Sequence, residues 1–172
     1  MTPSPAHDLP LPNKLKLDKK FQPCSLDTGD EAYPNGIFEF NITRLLAYID
    51  AHSNDFPIEF VSVADIPDYG GQPLDHDAVR SADLSRPILL AEIAPDRYNL
   101  IDGHHRVANA RRNGTPTVPA RRIRCPHHIP FLTSAIAYEK YVEYWNTKVK
   151  EMRPTGAARS RLNSGLGSPA RR

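Results

Sequence analysis

Tyr98-Asn-Leu-Ile-Asp-Gly-His-His-Arg-Val-Ala-Asn-Ala-Arg-Arg-Asn-Gly114 combines a strand, a turn and a helix in one short run. Leu100 and Ile101 are apolar and sheet-like, and Asp102-Gly103 predicts a tight turn. Gly103 removes the Cβ where the chain must bend and where a ligand could touch backbone. The helix that follows opens on His104, His105 and Arg106 and ends at Asn113-Gly114, a good C-terminal cap pair. A helix N-terminus offers unpaired N–H groups and a partial positive charge, so this turn is a candidate anion site before any side chain is counted.

Working outward, the flanking segments read as strands. Ile88-Leu-Leu-Ala-Glu-Ile93 follows Arg86-Pro87 and is a near-continuous apolar run, predicting a central strand. Ala94-Pro-Asp-Arg97 predicts a hairpin-like turn into residues 98–101. Thr117-Val-Pro-Ala-Arg-Arg-Ile123 predicts a further strand, and Pro119 inside it predicts an edge position. Ile58-Glu-Phe-Val-Ser-Val63, opened by Pro57, predicts another strand. Asp68-Tyr-Gly-Gly-Gln-Pro73 reads as a loop, and Asp75 or Asp77 as the cap of a short helix running to about Leu84.

Nearer the N-terminus, residues 23–35 read as loop and Ile37-Phe-Glu-Phe40 as a strand. Asn41 is a good N-cap, and Ile42, Leu45, Leu46 and Ile49 follow at helical spacing. Cys125-Pro-His-His-Ile-Pro130 reads as a loop and Thr133 as the cap of a long final helix. Tyr138, Tyr141, Val142, Trp145 and Val149 make one apolar stripe on that helix and are expected in the core. Residues 1–22, Pro-rich then Lys-rich, and residues 153–172, rich in Gly, Ser and Arg, are expected to be disordered tails. One folded domain is therefore expected over 23–152.

Hydrophobic residues make up 40% of the 172 and charged residues 24%, as in an ordinary globular domain. No apolar run is long enough for a membrane helix and no secretory signal pattern opens the chain, so a cytoplasmic location is expected. Cys24 and Cys125 are far apart, in no zinc-binding spacing, and are expected as free thiols. The two His-His pairs, 104/105 and 127/128, lack a metal-ligand spacing, and no metal site is expected. The net charge of +2 is uneven: five arginines and no acid follow Glu151, which leaves residues 1–152 at −3. That mildly acidic body argues against a dedicated nucleic-acid-binding domain. From Gly103 to Tyr138 there are six arginines, four histidines and no acid, a favourable field for an anion at the turn.

Taken together, Arg86-Pro-Ile-Leu-Leu, the run from Tyr98 through Asp102-Gly-His-His-Arg106, Gly114 and Val118-Pro-Ala resemble the core of the ParB/sulfiredoxin superfamily. Val61-Ser-Val-Ala-Asp-Ile66 resembles its first strand, and the likeness covers roughly residues 58–124. The resemblance implies a small mixed-sheet α+β domain that binds a nucleoside triphosphate, ATP or CTP, with its phosphates at the Gly103 turn. Gly103, His105 and Arg106 fall on the superfamily's phosphate-contacting positions. Sulfiredoxins carry a cysteine where this chain has His104, so peroxiredoxin repair is not implied. ParB partition proteins continue into a helix-turn-helix domain that this sequence lacks. The turn resembles most the branch that phosphorylates free serine.

The chemistry of these side chains fits that expectation. The Arg106 fork matches two phosphate oxygens, and His104 and His105 add donors. Asp102 can orient a histidine, hold Mg²⁺ with the phosphates, or cap the helix. Phosphoryl transfer needs a carboxylate to orient the nucleophile, and Asp68 beside Gly70-Gly71 is the first choice, with a small molecule as acceptor. Arg111 and Arg112 read as a solvated helix face. Two other classes stay open: DNA binding or nuclease action helped by the basic tail, and a non-catalytic regulatory module.

Overall fold

The protein is described by a computed structural model over residues 12–67 and 73–152. Among the described residues six strands and four α-helices follow in the order β1 (Ala32–Asn35), β2 (Phe38–Asn41), α1 (Ile42–Ala51), β3 (Glu59–Ser62), α2 (His76–Ser81), β4 (Ile88–Ala94), β5 (Arg97–Asp102), α3 (His104–Asn113), β6 (Thr117–Ile123) and α4 (Ala135–Met152). β1 and β2 form a hairpin, and the other strands form a mixed sheet in the order β3-β6-β4-β5. β4 runs parallel to β6 and antiparallel to β5, while β6 runs antiparallel to β3. This is the α+β mixed-sheet class expected from the sequence.

Every residue of β4 is buried, because both faces of the sheet are covered. Leu89, Ala91, Ile93, Ile101 and Ile123 pack on one face against Ile42, Leu45 and Ile49 of α1 and the apolar stripe of α4. Ile88, Leu90, Leu100, Val118 and Ala120 pack on the other face against Val107 and Ala110 of α3. Tyr138, Tyr141, Val142, Trp145 and Val149 are all buried, as the stripe predicts. Burial of each such large side chain is worth about 1.5–3 kcal/mol before the entropy of ordering is subtracted. Glu92 is the one acid in β4, and two amides satisfy it: Asp96 N donates to Oε1 at 2.9 Å and Cys125 N to Oε2 at 3.0 Å.

Several local expectations hold. Asn41 caps α1, its Oδ1 accepting from Arg44 N at 3.0 Å, and its Nδ2 is tied to Ser25 O and Asp30 Oδ2. Asp75 caps α2 by accepting from Ala78 N. Gly114 closes α3 with φ +68°, and Thr115 N donates to Ala110 O while Gly114 N donates to Arg111 O. Those bonds make a Schellman cap.

Other expectations are corrected. β6 lies inside the sheet, although it contains Pro119. Val63 N donates to Pro116 O, so the alternation of the β3/β6 ladder makes Phe60↔Pro119 a pair without hydrogen bonds. The Pro119 nitrogen therefore faces β4, whose pairing with β6 begins only at Ile88↔Ala120. The missing N–H falls just before the β4/β6 ladder begins and costs that ladder no bond. Ala32–Asn35, expected as loop, is a strand completed by pairing with β2. Ser134 rather than Thr133 caps α4, accepting from Ala137 N, while Thr133 Oγ1 donates to Glu39 Oε1.

The N-terminal tail expected over 1–22 is also corrected in its second half. Residues 12–22 lie along α4. Trp145 Nε1 donates to Asn13 O, Asn146 exchanges bonds with both backbone groups of Leu15, and the Phe21 ring stacks on Tyr138 at 4.0 Å. The lysines dominate the composition of this stretch, but Leu15 and Phe21 between them supply the contacts with the core. Residues 1–11 and the tail expected over 153–172 lie outside the described residues.

Candidate functional site

The turn is built from the end of β5 and the start of α3. Gly103 stands between them with φ +101°, a left-handed conformation that disfavours any side chain. Val107 N makes the first return bond to Gly103 O, so the amides of His104, His105 and Arg106 precede the helical ladder, and no side chain at position 103 caps them. Those three amides are left without intrahelical partners, as at any helix start.

The side chains are arranged less openly than expected. Arg106 folds back over Gly103, and its Nη2 donates to Asp102 Oδ2 at 2.7 Å. The two side chains are only 13% and 20% exposed. A Cβ on Gly103 would lie 2.6 Å from Ile88 Cγ2 and 2.9 Å from Arg106 Nη2. The space freed by the glycine is thus filled by the chain's own residues. Arg106 Nε is buried without a hydrogen-bond partner.

His104 stacks on Tyr33 of β1 with ring centroids 4.6 Å apart. Burial pulls its pKa below the ordinary imidazole value, against the opposing pull of Asp102, so the ring is neutral at pH 7. His105 is exposed and within electrostatic reach of Asp75, whose carboxyl is held below its usual range chiefly by the Ala78 and Asp77 amides. Asp83 lies within similar reach of Arg106, its own pKa lowered mainly by Ser85. The acid-free field expected from residues 103–138 is therefore altered in three dimensions. The fold brings Asp75 and Asp83 within electrostatic reach of the turn, beside Asp102 that precedes it in sequence. Arg111, expected on a solvated face, anchors α3 by donating to Ile66 O at 2.7 Å.

Of the expected site residues, Asp102, Gly103, His104, His105 and Arg106 share this turn, whereas Asp68 lies outside the described residues. Tyr33, Asp75 and Asp83 complete the surroundings and were not singled out from the sequence as site residues. A cleft of about 530 Å³ opens at the other end of β5, lined by residues that include Val61, Leu90, Tyr98 and Arg122. Arg122 lies over the Tyr98 ring at 4.9 Å and pairs with Glu59 at 2.9 Å. Cys24 and Cys125 are unpaired, and burial pushes the Cys125 thiol up to about 11. Among the described residues no helix is long and apolar enough to cross a membrane.

No family model, no curated protein and no solved structure matches the chain.

Proposed function

We propose that the turn from Asp102 to Arg106 binds the phosphates of a nucleoside triphosphate, ATP or CTP, in a ParB/sulfiredoxin-like domain that acts as a phosphotransferase or nucleoside triphosphatase. The observation that carries this reading is the unfinished pairing of Arg106. Its guanidinium is mostly buried, Nη2 is held by Asp102, and Nε has no acceptor. A buried cation with an unmet donor is costly, and a phosphate oxygen is a fitting acceptor. The uncapped amides of the first turn of α3 stand beside it.

In this reading Asp102 is a positioning residue that aims Arg106 across Gly103. Exposed His105 adds a donor at the rim, and neutral His104 is held on Tyr33 as part of the wall. Asp75 and Asp83 suit a cation that arrives already bound to phosphates, as Mg²⁺ does. Mg²⁺ would supply charge neutralisation for the transferred group. Asp68 carries no part of this proposal.

Calorimetric titration with ATP and CTP, each with and without Mg²⁺, tests the reading. At least one Mg²⁺ complex should bind, and Arg106→Ala should weaken it about 10- to 100-fold, the loss expected for a charge-assisted bond. Failure of both nucleotides to bind the folded wild type overturns it. Phosphate release, or transfer to a small-molecule hydroxyl, then separates turnover from binding alone.

A further inference from the structure

We infer that the outer edge of β3 pairs with the same edge of a second copy of this chain, joining two sheets across a twofold axis at Phe60. β3 is the outermost strand on its side of the sheet. Phe60 is 73% exposed and Ile58 is 51% exposed, and the two lie two residues apart on one face. Natural edge strands are blunted by shortness, charge, proline, a bulge or a covering segment. Among the described residues this edge carries no lysine and no bulge against β6. It is four residues long with Pro57 just before it, and its one charge, Glu59, is already engaged by Arg122 at 2.9 Å.

The backbone dictates the register. Residues 59, 61 and 63 face β6, as the Val63 N to Pro116 O bond and the β3/β6 pairing show. The N–H and C=O groups of Ile58, Phe60 and Ser62 therefore point outward. They are symmetric about Phe60. An antiparallel copy with Phe60 opposite Phe60 satisfies all of them, placing each Ile58 opposite Ser62 of the other copy. A shift by two residues leaves either Ser62 or Ile58, depending on its direction, without a strand partner on each chain. The central register also sets the two Phe60 rings together, a favourable cross-strand pair.

Charge agrees with this occupant. On the opposite face Glu59 falls across from Val61 of the second copy, never directly across from another Glu59. The two Glu59–Arg122 pairs come side by side around the axis, with each carboxylate flanked by a guanidinium. The contact is isologous and closes, so it yields a dimer and not a fibre. Both edges are short, so the dimer should dissociate on dilution.

Sedimentation of the full chain over a range of concentrations tests the pairing, together with amide exchange followed residue by residue. Wild type should move from monomer to twice the monomer mass as concentration rises, and the amides of Ile58, Phe60 and Ser62 should become protected in step. Phe60→Lys and, separately, Ile58→Lys should stay monomeric with unchanged circular dichroism, because both side chains are largely exposed. Wild type that remains monomeric throughout overturns the proposal, and such an edge would then serve a strand from another protein. A dimer in which those amides stay unprotected, or one that persists in folded Phe60→Lys, overturns it equally.

Discussion

A side chain at position 103 has nowhere to go. The backbone is left-handed there, and Ile88 and Arg106 already fill the volume a Cβ would take. Gly103→Ala should cost about 2 kcal/mol or more, combining the left-handed penalty with the clash. Urea unfolding measures it, and a loss well under 1 kcal/mol would show that the turn relaxes freely. The glycine was legible in the sequence, but only part of its reason was. A ligand's close approach and the chain's own arginine leave the same mark on a sequence, a residue without Cβ. His104 is similar: its presence at the turn was readable, but the burial that lowers its pKa was not, and one ring stacked on it, Tyr33, lies some seventy residues away in a stretch that reads as loop. Pro34 beside that tyrosine and the brevity of β1 hid the strand.

At the scale of elements, periodicity did most of the work. The stripe of α4 and the all-apolar β4 were legible because each repeats a pattern that burial imposes. Pro119 misled because a proline is excluded only from positions whose N–H faces an acceptor, and which way it faces depends on pairing partners. His128 was equally hidden. It reads as loop, yet it is completely buried, with Nε2 3.0 Å from Tyr141 Oη of α4. Tyr141 Oη donates in turn to Glu92 O of β4 at 2.8 Å, so the loop, helix and sheet meet at one hydroxyl. Burial lowers the His128 pKa from 6.5 to about 4. The unfolded chain takes up a proton near pH 6.5 that the native state refuses until about pH 4. Stability from this residue is therefore fully present above pH 6.5 and is lost as pH falls toward 4, by at most about 3 kcal/mol. His104, also lowered, acts in the same direction. Urea midpoints at pH 7 and pH 4.5 for wild type and His128→Asn check this. The variant should be less stable at pH 7 and show a smaller drop on acidification, and an equal drop in both would contradict the assignment.

At the scale of the whole molecule, the sheet separates two regions. The turn stands at the C-terminal end of β5, and the cleft with Tyr98 and Arg122 stands at the other end. Linear charge segregation located the basic turn but could not anticipate its acids, because Asp75 and Asp83 precede β4 and are brought back by folding. A triphosphate carrying Mg²⁺ suits that mixture better than a bare polyanion such as DNA, which offers no compensating cation fixed at the carboxylates. Nitrogen–proton correlation spectra recorded during titration with Mg²⁺-ATP and Mg²⁺-CTP test the central claim most directly. Binding at the turn predicts the largest shifts at the amides of His104, His105 and Arg106, with the Arg106 Nε–H signal moving alongside them. Shifts confined to Val61, Tyr98 and Arg122 at the far cleft, or no shifts at all, would contradict it.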